Sequence, residues 1–531
     1  MSQHKISFKR RTGEEAKRYC GFRLREKESS MIKRVHLVFK THLDLGFTDL
    51  ASAVVDEYMF RYIPQAINTC EELRKRGSSE RMVWTTGSWL IRHYLENAVP
   101  KDRRRIEEAI EAGDITWHAL PFTTHTELMD ENLFNFGLSI SKTLDARFGR
   151  TTIVGKMTDV PGHTIAMVPL LAKQNVRFLH IGINAGSKLP EVPRLFRWAS
   201  PGGQEIMVQY DDDYGSSAPI RGMEDILCIV HSHDNSGPPS TDFVIRTYRR
   251  LRMRFPGAKI IPSTMDAYAA EIERFRFKLP VIDREIGDTW IHGIASDPLK
   301  VSRLKNLLRL VPKWVGEGSL DRTEPAYFKL MEPLLLSVEH TWGLDSKKYL
   351  PDYSNWSPEK FRIARERDFI NRRLIPKQYA FIETFVQREF ASLFPYSQGR
   401  RDHLSYSFFE SSHAEKRAYL EKALNALPVA LRKTAVAEDR ALVPSAVPEE
   451  NGTGIEAGKP LELGPWSVVF SNNGAIISLK GIGNRELVIH GESIGLYSYE
   501  TYGCDQYRDW HRKYNRNFRS NKHWQIGRAH V

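Results

Sequence analysis

From residue 33 to residue 298, short apolar runs alternate with amphipathic stretches. Val35–Phe39, Met82–Thr86, Ile115–Leu120, Ile153–Met157, Arg177–Ile183, Glu205–Tyr210, Ile226–Val230 and Lys259–Ile261 read as strands. Helical spacing fills 51–75, 100–112, 130–147, 164–174 and 242–254 between them. Strand and helix repeated in this way predict an α/β fold with parallel strands and crossover helices. The number of repeats suits a parallel (β/α) barrel over 31–298 better than a small open sheet.

Past residue 298 the pattern changes. Residues 299–426 carry long helical periodicity, clearest over 358–392, and predict a helical domain. Residues 427–460 hold Pro, Ala, Gly and Glu without periodicity and read as a linker. From 461 to 531 strand patterns return, with Asn472-Asn473-Gly474 as a turn, and predict the start of an all-β sandwich. About 100 residues are usual for such a sandwich, so this β-rich domain is expected to be truncated. Residues 1–30 are polar and basic, without the apolar core of a signal peptide, and read as a disordered or mis-started leader.

Composition narrows the function classes. The formal charge of +12 raises the question of nucleic acid, but no nucleic-acid-binding motif accompanies it, so no such partner is expected. No apolar run is long enough to span a bilayer, so no membrane association is expected either. The four cysteines, Cys20, Cys70, Cys228 and Cys504, are widely spaced and form no CxxC pair. That argues against a thiolate zinc site or disulfide framework and fits a reducing cytoplasm. Asn451-Gly452-Thr453 matches a glycosylation pattern and is taken as chance.

Candidate chemistry clusters at strand ends. Thr41-His42-Leu43-Asp44-Leu45-Gly46-Phe47 follows the first strand. His42 and Asp44 are two apart, so in extended backbone both point to one side, as half of a divalent-metal site would. The plainer alternative is a packed histidine and a helix-capping aspartate. Asp159, before Pro161-Gly162-His163, could ligate a metal, attack a sugar carbon, or cap the next helix. In His231-Ser232-His233-Asp234, Asp234 is a candidate general acid, whereas His231 and His233 could instead form their own metal half-site. Two later clusters, Glu285 to Gly293 and Glu339 to Gly343, place Trp290 near His292 and Trp342 near His340. With Trp84, Trp89, Trp117 and His118, these aromatic side chains suit either sugar stacking or core packing.

Taken in order over about 31–500, these segments resemble glycoside hydrolase family 38, the retaining α-mannosidases, in a divergent bacterial branch. The match rests on His42, Asp44, Gly46 and Phe47, then on Asp159, Gly162 and His163, and by order on Asp234, residues 285–293 and His340. The sequence departs from the family at Phe47, where Trp is usual, after His292, where Arg is missing, and at His340, which stands without a paired histidine.

The resemblance implies zinc, or another divalent cation, held by His42, Asp44, Asp159 and His340. It implies Asp159 as nucleophile and Asp234 as acid and base, with their carboxyl groups about 5 Å apart for retention. Phe47, Trp84, Trp117, His118, His163, His233, Trp290, His292 and Trp342 are expected to contact the carbohydrate substrate. A homo-oligomer is expected as well. The alternatives are a metal-dependent amide or ester hydrolase centred on His231 and His233, and a carbohydrate-binding protein without turnover.

Overall fold

The structure is a computed structural model. It describes residues 31–184, 186–215, 219–220, 222–232, 234–350, 352, 354–370, 404–443 and 454–514. The leader, the end of the 358–392 helical pattern, the glycosylation pattern and His233 lie outside these residues. The side chain of His292 lies outside them too.

The chain forms two compact units, one of residues 1–436 with 512–531 and one of residues 437–511. In the first, the expected strands appear as β1 (Arg34–Thr41), β2 (Trp84–Gly87), β3 (Ile115–His118), β4 (Val154–Asp159) and β5 (Phe178–Ile183). Then come β6 (Leu195–Ala199), β7 (Glu205–Asp211), β8 (Asp225–Ser232), β9 (Lys259–Pro262) and β10 (Val281–Ile282). β1 is buried along seven of its eight residues, as a parallel strand covered on both faces must be.

These strands make two sheets. One runs β3-β2-β1-β8, with β9 also on β1, and all of its pairs are parallel. The other runs β10-β6-β7-β5-β4. They meet where Ala119 N–H donates to Val154 O at 2.8 Å. The wall curls without closing into the expected barrel. The physical reason is β6, a strand the pattern did not predict. It pairs antiparallel with β7 through a turn at Gly203, where φ is +83°. With β5 on its other side, β7 has no free edge left for β8.

Ala364, Ile370, Leu404 and Tyr406 form a small cluster within 299–426, but the main helices there pack on the strand core. Leu304 on helix Pro298–Gly316, Leu335 on helix Pro325–Ser337 and Leu420 on helix Tyr406–Ala426 share one buried cluster with Phe39 and Trp84. The aperiodic stretch read as linker holds a helix at Val429–Ala441. Among the described residues, no helix is long and apolar enough to cross a membrane.

The second unit carries three antiparallel strands, β11 (Pro460–Leu463), β12 (Trp466–Phe470) and β13 (Ile476–Lys480), with Gly474 in the turn at φ +80°. One three-stranded sheet is described there, not a sandwich.

Candidate functional site

β1 ends at Thr41, and the chain then turns sharply: Gly46 has φ +125° and Phe47 φ +60°. Glycine adopts such backbone without strain, and the turn folds the segment back over the strand end. Two other segments stitch it in place. Phe47 N–H donates to Gly343 O at 3.0 Å, and Thr341 Oγ1 donates to Leu45 O at 2.9 Å. Asn235, itself left-handed at φ +46°, accepts Asp44 N–H on Oδ1 at 2.9 Å. Its Nδ2 donates to Asp44 O, Gly46 O and Thr48 Oγ1 at 3.0, 3.2 and 2.7 Å. The loop carrying Asp234 and the loop carrying Asp44 are thereby one hydrogen-bonded body.

This stitching brings distant residues together. His42 Nε2 lies 3.0 Å from Asp44 Oδ1, and His340 Nε2 lies 3.1 Å from the same oxygen. Asp159 Oδ2 lies 3.6 Å from His340 Nε2. Ligand atoms of His42, Asp159 and His340 all lie within 4.8 Å of one another, and so do those of His42, Asp44 and Asp234. Three of the atoms, His42 Nε2, Asp44 Oδ2 and His340 Nε2, are buried without a hydrogen bond. Nitrogen and carboxylate donors converging in this way fit a divalent cation, which would satisfy them together.

Asp159 ends β4 at φ +83°, a strained conformation for a residue with a side chain. Two donors hold its Oδ1: Asn184 Nδ2 at 2.9 Å and the Tyr214 hydroxyl. Burial opposes ionisation of Asp159, but His340, His42 and Tyr214 keep it well below the usual carboxylate range. Asp234 differs. Burial, followed by the charge of Asp44, pushes its carboxyl up to about 7. One carboxylate held ionised and one whose proton is held up to about neutral pH make the pairing that acid-assisted displacement needs.

The other expected contacts divide. Phe47 lies beneath Lys348, whose Nζ is 5.6 Å from the ring. Trp342 carries Lys300 4.2 Å above its ring and lies 5.4 Å from His125. Trp290, half-buried, donates from Nε1 to Tyr514 at 2.8 Å. His163 is fully buried, with Nδ1 3.4 Å from Thr126 Oγ1.

Sugar contact does not fit Trp84 or Trp117. Both are core rings, tied by Nε1 to Thr41 at 3.2 Å and to Asp145 at 3.0 Å. Their strands alternate faces, and the indoles fall on the helix-packed side. His118 lines a cavity beneath the site with Lys40 and Lys156. Of the alternative pair His231 and His233, the described member, His231, meets Tyr214 edge-on at 4.9 Å and lies 6.1 Å from His42, beside the same centre.

Sequence reasoning missed Asn184, Tyr214, Asn235, Glu339 and Lys416. Asn235 and Glu339 adjoin the candidates Asp234 and His340, which was a usable signal. Tyr214 and Lys416 reach the site only through the fold.

Residues 33–270 match the family model described as glycosyl hydrolases family 38 N-terminal domain, and residues 294–527 match one described as a domain of unknown function, DUF5054. No curated protein matches the chain closely enough to count as a relative. Among solved structures, an α-mannosidase from Enterococcus faecalis V583 is similar at 10% identity and TM-score 0.46, over 74% of this chain and 42% of that one. A glycosyl hydrolase family 38 protein from Enterococcus faecalis gives 11% and 0.43, over 68% and 40%. A 4-α-glucanotransferase from Thermococcus litoralis gives 11% and 0.36, over 85% and 67%. The chain spans less than half the length of the first two. With the family 38 domain model covering 33–270, the chain is a glycoside hydrolase family 38-like protein.

Proposed function

We propose that the protein is a metal-dependent retaining glycosidase of the α-mannosidase type, acting on a terminal sugar of a carbohydrate. The observation that carries this reading is the meeting of His42, Asp44, Asp159 and His340, spread over almost three hundred positions, around atoms that lack partners. These four side chains would hold the cation, with zinc best suited to two imidazoles and two carboxylates. When bound, the cation supplies a positive charge that ligates the sugar's hydroxyls and fixes the ring.

The chain's own groups do the rest. Asp159 attacks the anomeric carbon, and the bond to the leaving oxygen breaks as Asp234 gives that oxygen its proton. Asn184 and Tyr214 restrain Oδ1 of the attacking carboxylate, so it is aimed before substrate arrives. Asp234, now ionised, takes a proton from water, and that water cleaves the glycosyl ester with net retention. The half-buried Trp290 and Trp342 would offer flat faces to the sugar ring.

The test is a panel of aryl glycosides, α-mannosides included, assayed with the zinc-loaded protein before and after chelation. NMR would follow the anomer first released. Chelator-sensitive hydrolysis with retention is the expected result. Hydrolysis that ignores chelation, or releases the inverted sugar, would remove this reading.

A further inference from the structure

Behind His340 lies a buried ion network that the candidate metal ligands do not include. Glu339 immediately precedes His340, and its side chain is fully buried. Glu339 Oε1 sits 2.7 Å from His340 Nδ1, the ring nitrogen facing away from the site. Neither atom makes a hydrogen bond of regular geometry, so the contact is a close ion-pair approach and nothing else competes for that face of the ring. The other carboxylate oxygen, Oε2, lies 2.5 Å from Thr341 Oγ1 and accepts from Thr341 N–H at 3.2 Å. It also lies 3.1 Å from Lys416 Nζ, which is itself 98% buried and reaches in from helix Tyr406–Ala426.

The surroundings pin this segment to the strand ends. His340 N–H donates to Thr123 O at 3.2 Å, and Thr124 bridges to Glu339. Lys416 Nζ also donates to Thr341 Oγ1 at 3.0 Å. A lone buried carboxylate would be costly, and Lys416 compensates it. Its charge and that of His340 hold Glu339 well below the usual carboxylate range against the effect of burial.

We infer that Glu339, anchored by Lys416, is a positioning residue: it holds His340 with Nδ1 outward and Nε2 aimed at the cation site. The inference rests on the metal-dependent reading above. A carboxylate on the outer nitrogen of a ligating histidine fixes the tautomer and raises the basicity of the inner nitrogen. Lys416 adds what a free carboxylate lacks, a fixed orientation.

The experiment uses the full chain stripped of metal and titrated with zinc against a chromophoric chelator. Wild type, Glu339→Gln and Thr341→Val are compared, with the melting temperature of each metal-free form recorded. Glu339→Gln is expected to weaken zinc binding by about 10- to 100-fold. Thr341→Val, which removes a hydroxyl that contacts this carboxylate, Lys416 and Leu45 O, should weaken it by a smaller factor, and it carries the test if Glu339→Gln does not fold. Variants that fold and bind zinc as tightly as wild type overturn the inference and leave the glycosidase reading standing. A wild-type chain that binds no zinc overturns both.

Discussion

Two layers of side chains fill the interior behind the strand ends, and they are built on opposite principles. The upper layer gathers His42, Asp44, Asp159 and His340, with atoms of His42, Asp44 and His340 left without a hydrogen bond. Beneath it, Lys40 on β1, His118 on β3 and Lys156 on β4 line one small cavity whose wall His42 shares. No carboxylate lines that cavity among the described residues. Lys156 is relieved through His180 Nδ1 at 2.9 Å, whose Nε2 meets Asp211 at 2.9 Å, and Asp211 meets Arg194. Lys40 has only a 3.3 Å bond to Thr41 O, and burial lowers its amine to about 7. Burial, helped by the two lysines, also drives His118 well below its ordinary value. The lower layer thus offers amines and an imidazole that burial pushes toward their neutral forms, without the converging carboxylates of the layer above.

The strongest break of this comparison removes the group proposed to attack. Asp159→Ala should lower turnover by at least about 10³-fold, as loss of a nucleophile does, while zinc binding weakens and the lower layer stays intact. Steady-state hydrolysis of an aryl glycoside, beside zinc titration, reads both. Next in size, His42→Ala should lower the zinc content in a metal analysis of the purified protein, since it removes one of the two imidazole donors. Zinc retained at wild-type stoichiometry would place the ion elsewhere.

Asn235→Ala tests the stitching between the two loops. It leaves the Asp44 N–H and two loop carbonyls without their partner, so it should cost about 1–3 kcal/mol in urea unfolding. An unchanged midpoint would mean that the loops are held by other contacts.

Lys40→Met probes the lower layer and should be close to neutral or stabilising, by about 1–4 kcal/mol at most, because it replaces an uncompensated buried amine with an apolar chain of similar volume. The sign has a pH signature. The folded amine titrates at about 7, below its unfolded value, so its penalty is full below that point and fades as pH rises toward the free-lysine value. The advantage of the variant should therefore shrink between about pH 7 and pH 10, as measured by urea unfolding across that range. An advantage that is flat with pH would show that Lys40 does not titrate on folding.

Much of this was legible in advance, for identifiable reasons. The eight strands read from apolar runs all appear, most of them, like β1, because they are buried on both faces and must be apolar along their length; β9 is only partly buried. His42 and Asp44 were legible as a pair because strand periodicity alone puts them on one side. Trp84 and Trp117 were misjudged as sugar contacts because an indole suits a core and a sugar equally, and only the strand's facing separates the two. β6 escaped notice because Leu195–Ala199 places Arg197 at its centre, and Arg197 is tolerated there through its ion pair with Glu205.

Local sequence therefore determined the alternation of strand and helix and the placing of polar residues at strand ends, since both follow from short-range periodicity. The tertiary structure alone decided that the sheet stays open, because β6 takes the edge β8 would need. It alone decided that Glu339 and Lys416 stand behind His340 and that Tyr214 and Asn184 hold Asp159. Those are contacts between distant segments, and no local pattern encodes which buried charge will find which partner.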